Sequence, residues 1–229
     1  MLLCADTSST QVTVALGDTR AFLGGMVLAR PRHHAELLVP AIQQLMNALR
    51  VEVPDVAGVS VTVGPGLFAG LRVGIATLSA FAQARDLPVI GLSSLEVLAE
   101  GAPLLNGPIA ATIDARRGEV YWARFERTAG ELIRLTPDRV DPPEVVLAEC
   151  AGDVIVGEGL SSQDGREAAD WDEPERLVGG SITAEALWAA SARSATLGQA
   201  VSAGDITPVY LRKTDAELNW ERRRAMDMA

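Results

Sequence analysis

The sequence predicts an α/β protein of two lobes, each opening on a three-stranded β-meander that is followed by helices and buried strands. Three observations carry this. The chain begins with "LLCAD", the turn "TSST", the alternating run "QVTVALGD" and then "AFLGGMVLA", which reads as strand, turn, strand, turn, strand. After the linker-like "LLNGP" the pattern returns as "IAATIDARRGEVYWARFERTAGELIRL", and an offset of 108 residues lays Asp6 on Asp114 and Val12 on Val120. The length, 229 residues, accommodates two lobes of roughly 100 residues each. Two unrelated meanders, each with an aspartate at a turn, are the competing account; the shared element order and terminal aspartate favour a duplicated lobe.

Within the first lobe, residues 1–105, "HHAELLVPAIQQLMNALR" spaces Leu38, Ile42, Leu45 and Leu49 by four, three and four, the stripe of an amphipathic helix with Pro40 in an early turn. "VAGVSVTV" is a buried strand, Leu67 to Arg85 a helix, "LPVIGL" another buried strand, and "SSLEVLAEGA" a second helix-like segment. In the second lobe, residues 106–229, "DVIVGEGL" runs as a strand into Gly157-Glu158-Gly159, and "QDGREAADWDEPER" is polar and loop-like. "SITAEALWAASARSATLGQA" is a helix with Ser181 or Thr183 as N-cap, and "ITPVYLR" a final strand. The charged "KTDAELNWERRRAMDMA" is a solvated helix or a frayed end, and residues 209–229 are expected to pack back on the first lobe.

Composition narrows the function. An apolar share of 48% marks a folded globular chain, and with aromatics at only 4% its core is built from small aliphatic side chains. The formal charge of -10 repels a phosphate backbone, which argues against independent nucleic-acid binding. Cys4 and Cys150 are too few for a disulfide framework and too far apart for a short-spaced zinc pair, so a reducing cytoplasm fits best. The N-terminus has no basic leader, and the apolar run Val73 to Ala84 falls well short of the ~20 residues that span a bilayer; no membrane association is expected.

Four motifs bear on chemistry. Gly64-Pro65-Gly66-Leu67-Phe68-Ala69 satisfies G-x-G-x-x-[GA] between a strand and a helix, but the acidic residue that should end the next strand is missing, and no lysine follows to make a P-loop. The loop either meets an anion at the helix N-terminus or lets the helix pack closely. Asp6 and Asp114, each ending the first strand of a lobe, face one another if the lobes enclose a cleft; they hold hydrated Mg²⁺ beside nucleotide phosphates or cap their own turns. His33 and His34 are the only histidines, and adjacent side chains on a helix diverge too far for a metal site. The serines of "DTSST" lack a G-x-S-x-G elbow, which argues against a serine hydrolase.

Taken together, "LLCADTSSTQVTVAL", "HHAELLVPAIQQLM", "VTVGPGLFAGLRVGIATLSAFAQA", "LPVIGLSSLEVLA", "IDARRGEVYWARF" and "PVYLR" resemble the bacterial TsaB (YeaZ) family, in the family's order and through nearly the whole chain. The weakest stretch is 136–200. The resemblance implies the two-lobed actin-like ATPase fold and a part in forming threonylcarbamoyladenosine in tRNAs that read codons beginning with A. It also implies a non-catalytic partner of TsaD, the paralogue that transfers the threonylcarbamoyl group. TsaD carries a pair of metal-binding histidines four apart after the strand matching "LPVIGL", where this chain reads Ser94-Leu95-Glu96-Val97-Leu98.

The resemblance further implies a vestigial nucleotide cleft at Asp6, Gly64, Gly66, Asp114, Gly157 and Gly159, with no catalytic residue and no metal. No cofactor is expected to bind strongly; ATP and Mg²⁺ enter in the assembled complex through partner subunits. Expected partners are a TsaD-like transferase subunit, a TsaE-like ATPase and a second copy of the chain, with tRNA met only through the complex. The partner surface is expected on the two long helices of the first lobe, at His34, Leu38, Ala41, Ile42 and Leu45 and at Phe68, Leu71, Arg72, Ile75 and Leu78, because the second helix is apolar almost all round and needs a cover on each face. The alternative is an independent ATP-dependent kinase or phosphotransferase of the same fold; a glycoprotease-like peptidase is the weakest reading.

Overall fold

A computed structural model describes residues 1–30, 32–103, 106–160, 177–178 and 180–212. The first sheet contains β1 (Leu2–Asp6), β2 (Val12–Gly17), β3 (Phe22–Leu28), β4 (Gly58–Gly64) and β5 (Val89–Ser93) in the order β3-β2-β1-β4-β5. The meander pairs antiparallel, whereas β1, β4 and β5 run parallel. The second sheet contains β6 (Gly107–Arg116), β7 (Glu119–Thr128), β8 (Glu131–Arg134), β10 (Val154–Gly157) and β11 (Leu177–Val178), ordered β8-β7-β6-β10-β11, while β9 (Arg139–Asp141) pairs β7. Strand for strand this repeats the first sheet, with β6 parallel to β10 and antiparallel to β7. The fold is therefore α/β, two-lobed and actin-like, and the repeat seen as a 108-residue offset is a repeat of topology.

The helices are α1 (His34–Leu49), α2 (Phe68–Gln83), α3 (Ser94–Glu100), α4 (Pro143–Glu149) and α5 (Ala184–Thr196). Leu38, Ile42 and Leu45 of α1 are buried, as the stripe requires, and the helix ends at Arg50, whose left-handed conformation turns its N–H onto the Met46 and Asn47 carbonyls. The Ser93 hydroxyl caps α3 by accepting from the Glu96 amide, and Thr183, one of the two expected caps, accepts from the Ala186 amide to start α5. Helix α4 is not anticipated from the sequence. Its Pro142-Pro143 start fixes φ at the first turn, and only Pro143 and Val146 are buried, too short a stripe to show a period.

Alternation on β1 and β2 sends neighbouring side chains to opposite faces. Leu3, Ala5, Val12, Val14 and Leu16 meet α1 and α2 on the outer face. Cys4 and Ala15 point inward, into a core that also takes in α3, α5 and the inner face of the second sheet at Ile109, Ala111, Ala123 and Phe125. Outside the second sheet, Ala110, Val120 and Trp122 pack on Val146 and Cys150. The layers are thus α1 and α2, first sheet, α3 and α5, second sheet, α4.

The middle layer ties the lobes together. Helix α5 comes from the second half of the chain yet lies on the first sheet: Ser191 donates to Ser60 Oγ at 2.9 Å, and Trp188 Nε1 donates to the Asp18 carbonyl at 2.8 Å. Conversely, Arg127 of β7 donates to the carbonyls of Ala99 and Glu100 at the end of α3. Arg193 of α5 pairs with Glu96 and Glu100 of α3.

Beyond α5 the chain forms a strap. Val201 makes a single antiparallel bridge to Val89, and the Val209 amide donates to the Val63 carbonyl at 2.7 Å. The strand expected at "ITPVYLR" is not formed as one; its proline and the crossing over α2 leave isolated hydrogen bonds in place of a ladder. Residues 213–229 and most of the polar segment 161–180 lie outside the described residues. Among the described residues no helix is long and apolar enough to cross a membrane.

Candidate functional site

The ends of β1 and β6 converge on a cavity of about 250 Å³ between the lobes. From the first lobe it is lined by the hydroxyl-bearing turn Ser8-Ser9-Thr10 and by Leu67; from the second by Asp114, Arg116 and Glu158. Asp114 belongs to this wall and pairs with Arg116 at 2.9 Å, its Oδ1 also accepting from the Arg116 amide.

Asp6, its topological counterpart, is not on the wall. Its side chain is fully buried, and Oδ1 accepts from the Ser8 amide (3.0 Å), the Ser8 hydroxyl (2.6 Å) and the Thr62 hydroxyl (2.6 Å). Oδ2 is buried with no partner among the described residues. Burial pushes the carboxyl above its ordinary range, and the hydrogen bonds from Ser8 and Thr62 draw it only part of the way back. Of the two alternatives, the facing pair is not formed: both aspartates cap their own turns, Asp6 from within the core and Asp114 on the cavity wall. Among the described residues no three His, Cys, Asp or Glu side chains are grouped to hold a metal ion.

The glycine loop is resolved in favour of packing. A Cβ at Gly66 collides with the Ser8 carbonyl oxygen, and one at Gly70 with the Thr7 carbonyl oxygen, so α2 starts hard against the β1–β2 turn. The Leu67 amide donates to the Ser8 carbonyl at 2.7 Å, and the Thr7 hydroxyl donates to the Gly70 carbonyl at 2.8 Å. Gly66 and Gly70 thus let α2 pack directly on the β1–β2 turn. In the second lobe Gly157 plays the corresponding part: at φ +102° it lies where a Cβ collides with the Thr112 carbonyl, and Gly159 abuts Thr112 and Val120.

The partner face also needs correction at the level of residues. His34, Leu38, Ala41, Ile42, Leu45, Leu71, Ile75 and Leu78 are all buried within the chain; Leu38, Ala41, Ile42, Leu45, Ile75 and Leu78 join the helices to the first sheet, and His34 meets the β1–β2 turn. His34 Nε2 lies 2.8 Å from the Ser9 carbonyl and so carries the proton, because a carbonyl oxygen can only accept. Of the expected positions, Phe68 and Arg72 are exposed. The outward face of α2 is otherwise Ala69, Ala76, Ala80 and Gln83, and that of α1 includes Val39, Pro40 and Gln43. The strap lies over this face, its residues 209 and 210 packing back on the first lobe: the Tyr210 and Phe68 rings are 5.0 Å apart, and Arg72 Nε donates to the Tyr210 hydroxyl.

Comparison with known proteins shows the affiliation. The TsaB protein of Escherichia coli, by its name a tRNA threonylcarbamoyladenosine biosynthesis protein, is 30% identical, with 94% of this chain and 96% of that one covered. This chain belongs to the TsaB (YeaZ) family. Its Bacillus subtilis relative of the same name is 27% identical over 96% of this chain and 97% of its own. The crystal structure of YeaZ from Pseudomonas aeruginosa superposes with a TM-score of 0.77 at 30% identity, covering 92% of this chain and 99% of that one. The model of TsaD, tRNA N6-adenosine threonylcarbamoyltransferase, matches residues 23–170, in keeping with the paralogy between the two families.

Proposed function

We propose that this chain is a non-catalytic partner subunit in the formation of threonylcarbamoyladenosine in tRNA, supporting a TsaD-like transferase through the outward face of α1 and α2. The observation that carries the reading is the near full-length match to relatives named as TsaB biosynthesis proteins. Two features of the site support it. The glycines that open α2 serve close packing on the β1–β2 turn, and the positions of TsaD's histidine pair hold the buried Ser94 and Leu98. ATP and Mg²⁺ then enter through other subunits, among them a TsaE-like ATPase, and the work takes place in the cytoplasm.

A low face of alanines flanked by Val39, Phe68 and Arg72 suits helix-on-helix association with the TsaD-like subunit, and a second copy of this chain competes for it. Ala76→Arg tests the surface without touching the core. The variant keeps its circular dichroism spectrum and melting temperature but fails to co-purify with the TsaD-like subunit. Unimpaired co-purification rejects the face. Reconstitution tests the role: tRNA modification by the TsaD-like subunit, the ATPase and this chain is lost when this chain is omitted, and metal-dependent turnover by this chain alone rejects the non-catalytic reading.

A further inference from the structure

We infer that residues 201–212 act as a latch that couples the exposed start of α2 to the β6–β7 hairpin on the cavity wall, so that drawing Tyr210 away from α2 loosens that hairpin. The strap is fixed to the first lobe by the reciprocal bonds between Val201 and Val89 (2.9 and 2.8 Å), by Ala203 and Ile206 packed against the outer core, and by the bond from Val209 to the Val63 carbonyl. The next residue, Tyr210, stacks on Phe68, and the Arg72 guanidinium lies 4.0 Å over the same Phe68 ring while donating to the Tyr210 hydroxyl at 3.2 Å. Two residues further, Arg212 crosses to the other lobe. It donates to the Ala115 and Arg116 carbonyls at 3.0 and 3.2 Å and pairs with the Glu119 carboxylate at 2.6 Å.

The hairpin it grips has an unusual backbone. Arg116, Arg117 and Gly118 stand consecutively at φ of 63°, 58° and 74°, and two non-glycine residues in the left-handed region persist only where neighbours hold them. Arg212 binds the carbonyls at the entry to this turn, and Arg116 with Asp114 forms the second lobe's side of the cavity. The end of the strap is lightly held: Val209 and Tyr210 are both about two-fifths exposed, at 42% and 41%. A segment with few buried contacts opens at a lower free energy than the sheets beneath it. A partner that takes Phe68 and Arg72 from Tyr210 therefore reaches the cavity wall through two residues of chain. That trigger rests on the partner face proposed above; the coupling itself does not, and is measured on the chain alone.

The test is amide hydrogen exchange by mass spectrometry on the full chain. Arg212→Ala accelerates exchange in the 114–120 peptide about tenfold, and Tyr210→Ala, altered only where it touches α2, accelerates it at least about threefold, with peptides from β1 and β10 unchanged. Glu119→Gln, which removes one of the three contacts of Arg212, produces a smaller acceleration at the same peptide. Wild-type exchange at 114–120 in Arg212→Ala overturns the latch, because the strap then does not hold the hairpin. A response to Arg212→Ala with none to Tyr210→Ala also overturns it, since nothing is transmitted from α2. Equal acceleration across both sheets does so as well, making the strap a global stabiliser. Failure of the Ala76→Arg test with these results intact rejects the partner face and leaves the latch standing.

Discussion

Asp6 ends β1 and Asp114 lies two residues from the end of the equivalent β6, in lobes of one topology, yet one is sealed in the core and the other stands on a cavity wall. The difference lies in what closes around each carboxylate among the described residues. After β4 the chain enters the sixteen-residue α2, whose glycines bring it down onto the turn beyond Asp6, so that Ser8 and Thr62 close around the carboxylate. After β10, Gly157 and Gly159 close on Thr112 and Val120 and leave Asp114 to Arg116 and the cavity. The two sheets share a strand order, and the packing of α2 on the β1–β2 turn closes the first lobe around Asp6.

The contrast is broken most forcefully at the closed end. Leu71→Asp places a carboxylate in the α2–sheet interface, and it lowers stability by about 4 kcal/mol or more in urea denaturation. A folded Leu71→Asp variant that merely loses its partner restores Leu71 to the surface and rejects the packing described above. Next comes a pair of glycines. Gly70→Ala drives a methyl into the Thr7 carbonyl and costs about 3 kcal/mol, whereas Gly118→Ala at the tip of the Asp114 hairpin meets open space and costs about 1 kcal/mol, from its positive φ alone. Equal losses would make the two ends equally tight.

A third test uses protons. Burial raises the Asp6 carboxyl above the ordinary 3.8, so the folded chain retains a proton that the unfolded chain has lost. Its contribution is complete below that ordinary value, and stability declines as pH rises from there through the raised value. Asp6→Asn keeps the accepting oxygen but cannot ionise, and urea midpoints measured from about pH 4 upward lose that part of the decline. An unchanged pH profile in Asp6→Asn shows that the carboxyl does not carry it. The smallest effect belongs to Asp114→Asn: its ion pair with the largely exposed Arg116 is worth at most about 1 kcal/mol, so a loss several times larger would mean that the open end is not open.

The repeat was legible because aspartate and alternating apolar residues recur at one offset, and the α1 stripe because Leu38, Ile42 and Leu45 keep a helical period. The outward face of α2 was not. Hydropathy counts Ala69, Ala76 and Ala80 as apolar, so the helix reads as greasy all round, although a methyl group exposes little area and these positions face out. The sealing of Asp6 was equally invisible, since it depends on Thr62, 56 residues away. The contacts of the strap are hidden because Tyr210 meets Arg72 138 residues back in the chain and Arg212 meets Ala115, Arg116 and Glu119 more than 90 residues back, and no local period encodes such a contact.

The exchange of helices across the middle layer sets an order of events at the ribosome. The strands of the first sheet are all made once Ser93 is added, but the helix that covers the inward faces of Cys4 and Ala15 begins only at Ala184. At roughly 5–20 residues per second the nascent sheet waits about 5 to 20 seconds with one apolar face bare. Translation that pauses in that interval leaves a chaperone client, and a message truncated before codon 184 yields a product for the proteases.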